Sequence, residues 1–513
     1  MRINYLYIFI LVALLPILIF RDYTPSNELR YLSIADEALR NGTFFTFTNQ
    51  GIPYADKPPL YFWIVMLGKY LLGAHYMLFL SLFSLIPAFV IVHIMNGWTR
   101  QKIEREYMLT SQLLLLSCGL FLGSTLVLRM DILMCMFITL SLYIFYKMLT
   151  GKGNQQINAI LFPIYIFLAI FTKGPVGILI PLLCTFVFLL WTKRIRSLGR
   201  YWNWKTWSIL LILCTIWFGC VYWEAGGEYL QNLLFHQTVD RAINSFRHEA
   251  PFYHYFVSIW YSMFPWSLLL IGVIGVSIRK GWIHTELQKF FLAVLITTFI
   301  MLSFVSSKLD VYLLPIYPFC VYLAAMLLPR FQWNRWLALS VAVPAFVFCM
   351  TLPVLIYLSG QDKTHFLNQC LFYVAGGILT ITGVISLYIL YYRKHLSRTI
   401  NVLVFGLFCA VFVGGWSLPQ INSEIGYGEL CREVNKISSE THIYTYYTWQ
   451  ISRPENMDVY LQKDVQTVTR EEIIEGKLHN AILIVPIREM DALRKVIIEK
   501  QSYVSGNYGI VIL

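Results

Sequence analysis

Long apolar runs, separated by short charged segments, occupy the chain as far as residue 418. A helix needs about 20 mostly apolar residues to cross a bilayer. Runs of that kind predict thirteen membrane-spanning helices, an odd number that places the two termini on opposite sides of the membrane. The predicted spans lie near residues 4–20, 75–96, 108–127, 131–149, 158–172, 174–191, 206–223, 258–278, 290–305, 312–328, 337–358, 369–390 and 400–418.

The composition agrees with this pattern. Of the 513 residues, 58% are hydrophobic and only 13% are charged, whereas about one quarter of the residues of a soluble domain are charged. Aromatic residues make up 16% of the chain, as expected where Trp and Tyr lie at both membrane interfaces. The sequence therefore predicts an integral membrane protein and excludes a water-soluble enzyme.

The net charge of +12 could by itself suggest a nucleic-acid partner. In the short connections, however, nineteen Lys and Arg residues fall on one side of the predicted membrane, and only Arg129, Lys173, Lys308 and Lys363 fall on the other. Cytoplasmic loops carry such an excess of positive charge. The charge is thus a topology signal and not a nucleic-acid site. It predicts a cytoplasmic amino terminus and a carboxyl terminus on the exterior side of the membrane.

The acidic residues cluster on the exterior side. Of the fifteen Asp and Glu residues before position 419, twelve are exterior, and the two long loops 21–60 and 224–257 carry nine of them. Carboxylates close to a bilayer are costly and usually mark function. These two loops are therefore predicted to form the active site.

The composition changes at about residue 419. Alternating segments such as HIYTYYTW and AILIVPI are typical of strands, and REMDALRKVIIEK has helical spacing. The sequence predicts a transmembrane domain over residues 1–418 and a small soluble α/β domain over 419–513. This second domain is expected to serve a structural or acceptor-docking role.

The first exterior loop holds the most informative residues. Leu29, Leu32 and Leu39 share one helical face, which predicts an amphipathic helix on the membrane surface, and Asn27 is placed to cap it. Lys57 follows in the segment ADKPP, where two prolines fix a non-helical backbone. A fixed cation of this kind at the interface suits a phosphate.

Several motifs resemble those of the lipid A aminoarabinose transferases and, more widely, the protein O-mannosyltransferases. These are membrane glycosyltransferases of the GT-C fold that use polyprenyl-phosphate sugars. The segment NELRY…NQGIPYADKPPLYFW resembles the signature DE-x-RY…EKPP-x-x-YW. Further similar segments follow in the family's order: LRMDILM (128–134), FTKGPVG (171–177), HQTVDRAINSFRHEAPFYHYF (236–256, like H…R…H…PFWYY), FPW (264–266) and SSKLDVYLLPIYP (306–318, like S-x-K-L-P-x-Y-x-L-P). The resemblance covers roughly residues 1–330.

The resemblance implies roles for individual residues. Lys57 and Arg241 would hold the donor phosphates, and Asp131 would orient a loop or a basic partner. A divalent metal ion would be bound by Asp56 together with His236 or His248. The remaining residues implied to bind substrate are Arg30, Tyr54, Lys308 and Tyr312.

One position departs from the family pattern, because Asn27 stands where the family has its catalytic Asp. Two explanations are open: the neighbouring Glu28 acts as the base, or the acceptor is a phosphate that needs no base. The second is slightly favoured. Each candidate also has a structural interpretation: Glu28 as a solvated first-turn carboxylate, Asp131 as the ion-pair partner of Arg129, Lys173 as a helix terminus, and His75 and His254 as interfacial residues.

Together these features predict a monomeric glycosyltransferase. It would transfer a sugar from undecaprenyl phosphate to an exterior acceptor, either a lipid A-type glycolipid or a secreted protein. A transporter or lipid flippase is the alternative from another class. It is less favoured, because ionisable residues are scarce in the helix centres and the two halves show no internal repeat.

Overall fold

The structure, a computed structural model, describes residues 5–235, 249–476, 478–494 and 501–513. In these ranges nine helices are long and apolar enough to cross a membrane, and a bent pair of helices could form a tenth span. Four further apolar helices are shorter: Tyr5–Phe20, Leu60–Leu72, Val176–Trp191 and Ser267–Arg279. The predicted all-α polytopic architecture is confirmed.

Every predicted span corresponds to helical structure. The α-helices are Tyr5–Phe20, Glu28–Asn41, Leu60–Leu72, Met77–Thr99, Arg105–Ser117, Gly119–Leu126, Asp131–Leu149, Gln155–Lys173, Val176–Trp191, Leu198–Tyr201, Trp204–Gln231, His254–Ser262, Ser267–Arg279, Glu286–Phe304, Tyr317–Leu327, Arg335–Ser359, Cys370–Tyr388, Leu396–Gly415, Leu418–Ile425, Gly428–Thr441, Asp458–Leu461, Arg470–Ile474 and Ile487–Arg494. Short 3₁₀ segments are Ile195–Ser197, Asp310–Ile316, Leu328–Arg330, Asp362–Leu367 and Pro454–Met457, and Ile389–Arg393 is a π-helix.

Two of the predicted spans are interrupted, and their two breaks are in contact with each other. The run 108–127 bends by 64° between Ser117 and Gly119, and the run 258–278 breaks at the FPW motif. The Gly119 amide donates a hydrogen bond of 2.7 Å to the Phe264 carbonyl. A Cβ at Gly119 would lie 2.9 Å from that oxygen, so only glycine permits this approach. Trp266 Nε1 donates to Ser117 Oγ at 2.8 Å, which joins the two breaks.

The chain forms two compact units. The first consists mainly of residues 54–61 and 81–411, with the start of the first helix. It contains the long apolar helices from Asp131–Leu149 to Cys370–Tyr388. The second consists of residues 14–53, 62–80 and 412–513. The α/β structure that the sequence predicts after residue 419 lies in this second unit.

A five-stranded sheet is the centre of the second unit. The strands of the chain are β1 Thr48–Asn49, β2 Ile52–Pro53, β3 Tyr446–Thr448, β4 Val465–Thr467, β5 Ile482–Pro486, β6 Gln501–Ser505 and β7 Tyr508–Ile512, with β1 and β2 forming a separate hairpin. The sheet has the order β4-β3-β5-β7-β6, where β3 pairs parallel with β4 and β5, and β7 pairs antiparallel with β5 and β6. Leu483, Val485 and Val511 from this sheet and Met490 from the adjacent helix form its buried core.

Asp22 joins the first exterior segment to the rest of the second unit. Its carboxylate accepts hydrogen bonds from the Gly428 amide at 2.7 Å and from the Tyr460 hydroxyl at 2.6 Å. The Asp22 amide donates to the Asn422 side chain at 3.0 Å. A Cβ at Gly428 would lie within 3 Å of the Asp22 carboxylate. The glycine therefore makes room for this contact between residues about 400 positions apart.

Candidate functional site

The first unit contains a cavity of about 250 Å³ whose wall is mostly apolar. Its apolar lining includes Met134, Leu179 and Trp217, and the charged side chains in the wall are Asp56, Lys57 and Lys173. Ligand sites commonly combine an apolar wall with a few placed polar groups. This cavity could hold an amphipathic ligand that has an anionic end and an apolar body.

Lys57 is positioned by the backbone on both sides of it. Tyr54, three residues earlier, accepts a hydrogen bond of 2.8 Å at its carbonyl from the Tyr229 hydroxyl. Pro58 and Pro59 follow directly and are buried, and proline fixes the backbone angle φ. The helix Leu60–Leu72 begins after them. The half-buried Lys57 side chain is therefore held at the cavity by rigid neighbours, as the ADKPP motif predicts.

Lys173 enters the same wall through an ion pair at two helix ends. It is the last residue of Gln155–Lys173, and its ammonium contacts the carboxylate of Asp131, the first residue of the preceding helix, Asp131–Leu149. Both side chains are less than a tenth exposed. Arg129 Nε also donates to Asp131 at 2.9 Å, and the Lys173 ammonium lies 4.4 Å from the ring centre of Tyr312. Asp131 thus orients two cations, and one of them lines the cavity.

Lys308 does not fit the substrate contact that its motif implies. Its ammonium donates to the carbonyls of Ala250 at 2.9 Å and Val305 at 2.6 Å, and the residue is only 5% exposed. Burial lowers the pKa of this amine below its ordinary value. The geometry instead gives Lys308 a structural role, in which it ties the segment before residue 254 to the end of the helix Glu286–Phe304.

Glu28, in the second unit, does not fit the role of a catalytic base. Its carboxylate accepts two hydrogen bonds from Arg21, at 2.7 and 2.6 Å, and two from Thr24, from the amide at 2.7 Å and the hydroxyl at 2.9 Å. A carboxylate has about four acceptor positions. The side chain is fully buried, so it is not a solvated first-turn group either. These contacts give Glu28 a structural role.

Asn27 does not cap the helix Glu28–Asn41 with its side chain. Its Oδ1 instead accepts a long hydrogen bond of 3.4 Å from Arg30, whose guanidinium lies 5.8 Å from the ring centre of Tyr31. The Leu29 amide is bonded to the Thr24 carbonyl at 3.1 Å. The first turn is therefore closed by Thr24 and Glu28, and the predicted capping role of Asn27 is wrong.

The predicted helix around residues 29–39 is present, but its polar face is buried as well as its apolar one. Asp36, which is 4% exposed, contacts Lys69 at 2.7 Å and His75 at 2.6 Å. Burial raises the pKa of Asp36, yet His75 and Lys69 lower it more, so the pKa lies below its usual value. The Glu37 carboxylate accepts hydrogen bonds from Thr48 and from the amides of Gln50 and Gly51. This helix packs on protein on both faces.

Three predicted site residues, His236, Arg241 and His248, lie outside the described residues. Asp56 is the only member of the implied metal set that the structure describes. Within the described ranges, no three His, Cys, Asp or Glu side chains are grouped closely enough to hold a metal ion. The metal ion therefore stays a prediction.

The structure brings Asp56, Lys57 and Tyr312 together at the cavity and adds Lys173, which the sequence interpretation assigned to a helix terminus. Two features of the sequence pointed to Lys173: its TKG motif and its place among the few exterior cations. The other candidate residues that the structure describes do not line the cavity. Asp131 contacts Lys173, Lys308 contacts the main chain, and Asn27, Glu28 and Arg30 belong to the second unit.

Comparisons with known proteins give a consistent result. Residues 2–225 match the family model described as dolichyl-phosphate-mannose-protein mannosyltransferase. An undecaprenyl phosphate-alpha-4-amino-4-deoxy-L-arabinose arabinosyl transferase from Pseudomonas fluorescens is 22% identical over 477 residues, which cover 87% of this chain and 80% of that protein. An uncharacterized protein from Aquifex aeolicus is 25% identical over 450 residues, covering 85% and 84%.

The fold matches that of a protein whose crystal structure is known. The crystal structure of ArnT from Cupriavidus metallidurans in the apo state superposes with a TM-score of 0.74 at 17% identity, covering 99% of this chain and 97% of that one. The structure of the same protein bound to undecaprenyl phosphate gives 0.73 at 17% identity, covering 100% and 98%. The resemblance that the motifs predict is confirmed, and it extends beyond residue 330.

Proposed function

Because this chain is a multi-pass membrane protein of the GT-C fold and is similar to membrane glycosyltransferases, we propose that it transfers a sugar from a polyprenyl phosphate to an acceptor outside the cytoplasm. The cavity carries this proposal. Lys57 and Lys173 lie in a wall that is otherwise mostly apolar. A polyprenyl phosphate has the same two parts, an anionic phosphate and an apolar chain.

The cations would act where charge develops during transfer. As the bond between the sugar and the phosphate oxygen breaks, the leaving phosphate gains negative charge. Preorganised cations stabilise such charge without reorganising during the reaction. Lys57 is held by the two prolines, and Lys173 is oriented by Asp131. Arg241 and a metal ion at Asp56 would add to this charge.

A lipid A-type glycolipid is the favoured acceptor, because the Pseudomonas fluorescens relative is named for aminoarabinose transfer from undecaprenyl phosphate and similarity to it covers most of both chains. A secreted protein is the second candidate, favoured by the mannosyltransferase model that matches residues 2–225. In either case the loops 21–60 and 224–257 and the carboxyl terminus would face the periplasm of the inner membrane. The active species would be a monomer.

The experiment uses the purified full chain in lipid nanodiscs. It is supplied with undecaprenyl-phosphate-linked aminoarabinose and, in parallel, with lipid A or with a Ser- and Thr-rich secreted polypeptide. Mass spectrometry of both acceptors should show the sugar on lipid A. Modification of the polypeptide alone would establish the second candidate. Donor that remains uncleaved with both acceptors, while the same protein in vesicles moves the donor across the bilayer, would refute transferase activity and establish a transporter.

A further inference from the structure

The second unit contains a polar cleft of about 1050 Å³. One wall is formed by the end of the helix Glu28–Asn41 and by the β1–β2 hairpin, and the other wall comes from the segment 453–467. The Gln50 side chain of the hairpin donates a hydrogen bond of 3.2 Å to the Glu455 carbonyl, which joins the two walls. Ligand pockets commonly have volumes of about 300–1,000 Å³. The cleft is therefore large enough to hold a ligand.

Two of the three cations in this cleft have few partners. The Arg40 side chain is 55% exposed, and its one ionic contact with a described residue is a distance of 4.0 Å from Nη2 to Asp458 Oδ2. Lys463 is exposed and makes no hydrogen bond or ion pair with the part of the chain that the structure describes. The third cation, Arg453, lies 3.5 Å from Glu455. Guanidinium and ammonium groups bind phosphate through charge-assisted hydrogen bonds, so Arg40 and Lys463 suit a phosphate.

The carboxylates of the cleft leave this positive charge available. Glu37 accepts hydrogen bonds from three groups of the β1–β2 hairpin. Glu455 is the ion-pair partner of Arg453. Asp464 is exposed and lies in the same segment as Lys463. Most of the negative charge is thus already bonded within the protein, and an anionic ligand meets little repulsion from it.

Uncharged amide side chains form much of the remaining lining. Asn41, Gln462 and Gln466 are exposed in the cleft, and Asn49 also lines it. The Asn49 Oδ1 atom is buried and accepts no hydrogen bond from any residue that the structure describes. A carboxamide offers two donors and one acceptor, and a hydroxyl group both donates and accepts. A ring that carries several hydroxyl groups, as a sugar does, matches this lining.

Asp458 is a costly residue for the second unit. It is 6% exposed, its Oδ2 accepts a hydrogen bond of 2.9 Å from Ser33, and its Oδ1 is buried and accepts none from the described residues. Burial raises the pKa of this carboxyl to about 6. Stabilising substitutions often cost function, because functional sites keep groups that destabilise the fold. The contact with Arg40 gives Asp458 such a function, since the carboxylate can orient the guanidinium in the cleft.

We propose that this cleft binds the phosphorylated sugar headgroup of the glycolipid acceptor, that Arg40 and Lys463 bind its phosphate, and that Asp458 positions Arg40. The carboxamide side chains bind hydroxyl groups of the sugar. This inference rests on the proposed transfer to a glycolipid and gives that acceptor a recognition site built from other residues than the donor cavity. It agrees with a phosphate acceptor, the explanation of Asn27 that needs no base.

The test measures binding to the purified full chain in phosphatidylcholine nanodiscs, without donor. The probes are lipid A, dephosphorylated lipid A, glucosamine 1-phosphate and inorganic phosphate. We expect Arg40→Ala and Lys463→Ala each to weaken the binding of lipid A about tenfold or more, because each removes a charged hydrogen-bond donor. Removing the phosphates from lipid A should weaken its binding to the wild type by a similar factor. Arg470→Ala and Lys436→Ala are the matched controls, since both residues are exposed cations of the same unit that do not line the cleft.

Asp458→Asn separates a positioning role from a structural one. We expect it to weaken the binding of lipid A about threefold, as for a partly exposed ion pair, while it raises the thermal midpoint. A group that only supported the fold would not weaken binding in a more stable protein. Asp464→Asn removes an exposed carboxylate from the same cleft and should not weaken binding, because it does not orient Arg40. Wild-type affinity in Asp458→Asn would remove Asp458 from the site.

Each other outcome supports or overturns the cleft. Unchanged binding of lipid A in folded Arg40→Ala and Lys463→Ala would overturn it, and so would equal binding of dephosphorylated lipid A. If Arg40→Ala misfolds, Lys463→Ala decides. Binding of inorganic phosphate as tight as that of glucosamine 1-phosphate would show that no sugar is recognised and would overturn the proposal. Binding of glucosamine 1-phosphate without binding of lipid A would make the ligand a free sugar phosphate, and a Ser- and Thr-rich polypeptide that loses affinity in the same variants would make the cleft a protein site; both results exclude the glycolipid.

The binding measurements are independent of the transfer reaction, because no donor is present. A wild-type protein that transfers no sugar, but whose affinity for lipid A falls in the two variants, refutes the proposed function and leaves the cleft as a glycolipid site. A wild-type protein that transfers sugar to lipid A, but whose variants bind lipid A normally, refutes the cleft alone.

Discussion

Arg21 donates two parallel hydrogen bonds, of 2.7 and 2.6 Å, to the two carboxylate oxygens of Glu28, and the Glu28 side chain has no exposed surface. Arg21 follows the first apolar helix, and Glu28 begins the next helix. The pair therefore fixes the turn by which the chain leaves the first span. We therefore expect the glutamate of the NELRY motif to stabilise this turn.

The variant Glu28→Gln should lower the stability of the protein rather than the activity of its folded fraction. Removing one partner of a buried ion pair leaves a buried charge and typically costs about 3–5 kcal/mol. We expect a clearly lower thermal midpoint in detergent, while the fraction that stays folded retains transfer activity. Glu429→Gln, at the exposed first turn of another helix, is the matched control and should be neutral. Full stability with no turnover would instead establish Glu28 as a catalytic group.

Lys57→Ala should abolish transfer and leave the fold intact, because it removes a cation that stabilises the leaving phosphate. Lys57→Arg should be partly active, since the planar guanidinium does not reproduce a point charge. Arg241→Ala should resemble Lys57→Ala, and the double variant should lose less than the sum, because both groups would serve one phosphate. Donor binding and transfer are both measured, with the exposed Lys102→Ala as control. Wild-type turnover of Lys57→Ala would remove Lys57 from the phosphate site.

Asp458→Asn should stabilise the protein at neutral pH. Asp458 is 6% exposed and accepts a hydrogen bond of 2.9 Å from Ser33. Burial raises the pKa of its carboxyl to about 6. The folded state thus holds this proton more tightly than the unfolded state, so stability falls as pH rises from about 4 to 6 and stays lower above that. Across this pH range the free energy of unfolding falls by about 3 kcal/mol.

The measurement is the thermal midpoint from pH 4 to pH 8. The advantage of Asp458→Asn over the wild type should be largest above pH 6 and should shrink towards pH 4. Asp464→Asn replaces an exposed carboxylate of the same unit and should show no such trend. An advantage that is independent of pH would mean that the ionised carboxylate is not the cause.

The orientation of the chain is tested by thiol labelling. A cysteine at the exposed Ser439 should react with an impermeant reagent on intact spheroplasts, and one at the exposed Arg196 should react only after lysis. Cys370 and Cys409, the exposed native cysteines, are replaced by alanine beforehand. Ser438 would be a poor probe, because it is buried. Labelling of both positions in the opposite order would invert the predicted topology.

The membrane-spanning helices could be predicted from the sequence because a long apolar run by itself indicates a span. The interruptions of these helices could not be predicted in the same way, because they depend on contacts with other segments. The bend at Gly119 depends on the Phe264 carbonyl, which lies in another predicted span. Apolar length alone also missed Leu60–Leu72, since its 13 residues fall short of a full span.

The position of Lys57 in the candidate site could be predicted, because the two prolines that fix its backbone follow it directly in the sequence. The roles of Glu28, Lys173 and Lys308 were not predictable, because each depends on a partner that local spacing does not reveal: Arg21, Asp131 and the Ala250 carbonyl. A charged residue near a membrane looks the same in sequence whether it binds a substrate or satisfies a buried group.

The contacts of Asp22 with Gly428 and Tyr460 have a consequence for biosynthesis. Asp22 leaves the ribosome about 400 residues before its two partners are synthesised. Until then its carboxylate and the helix after it lack their native neighbours, and long-range contacts of this kind form late in folding. The protein therefore acquires its second unit only when residues 412–513 have been delivered to the same side of the bilayer as the loop 21–60. A truncation near the carboxyl terminus should thus expose that loop to proteases.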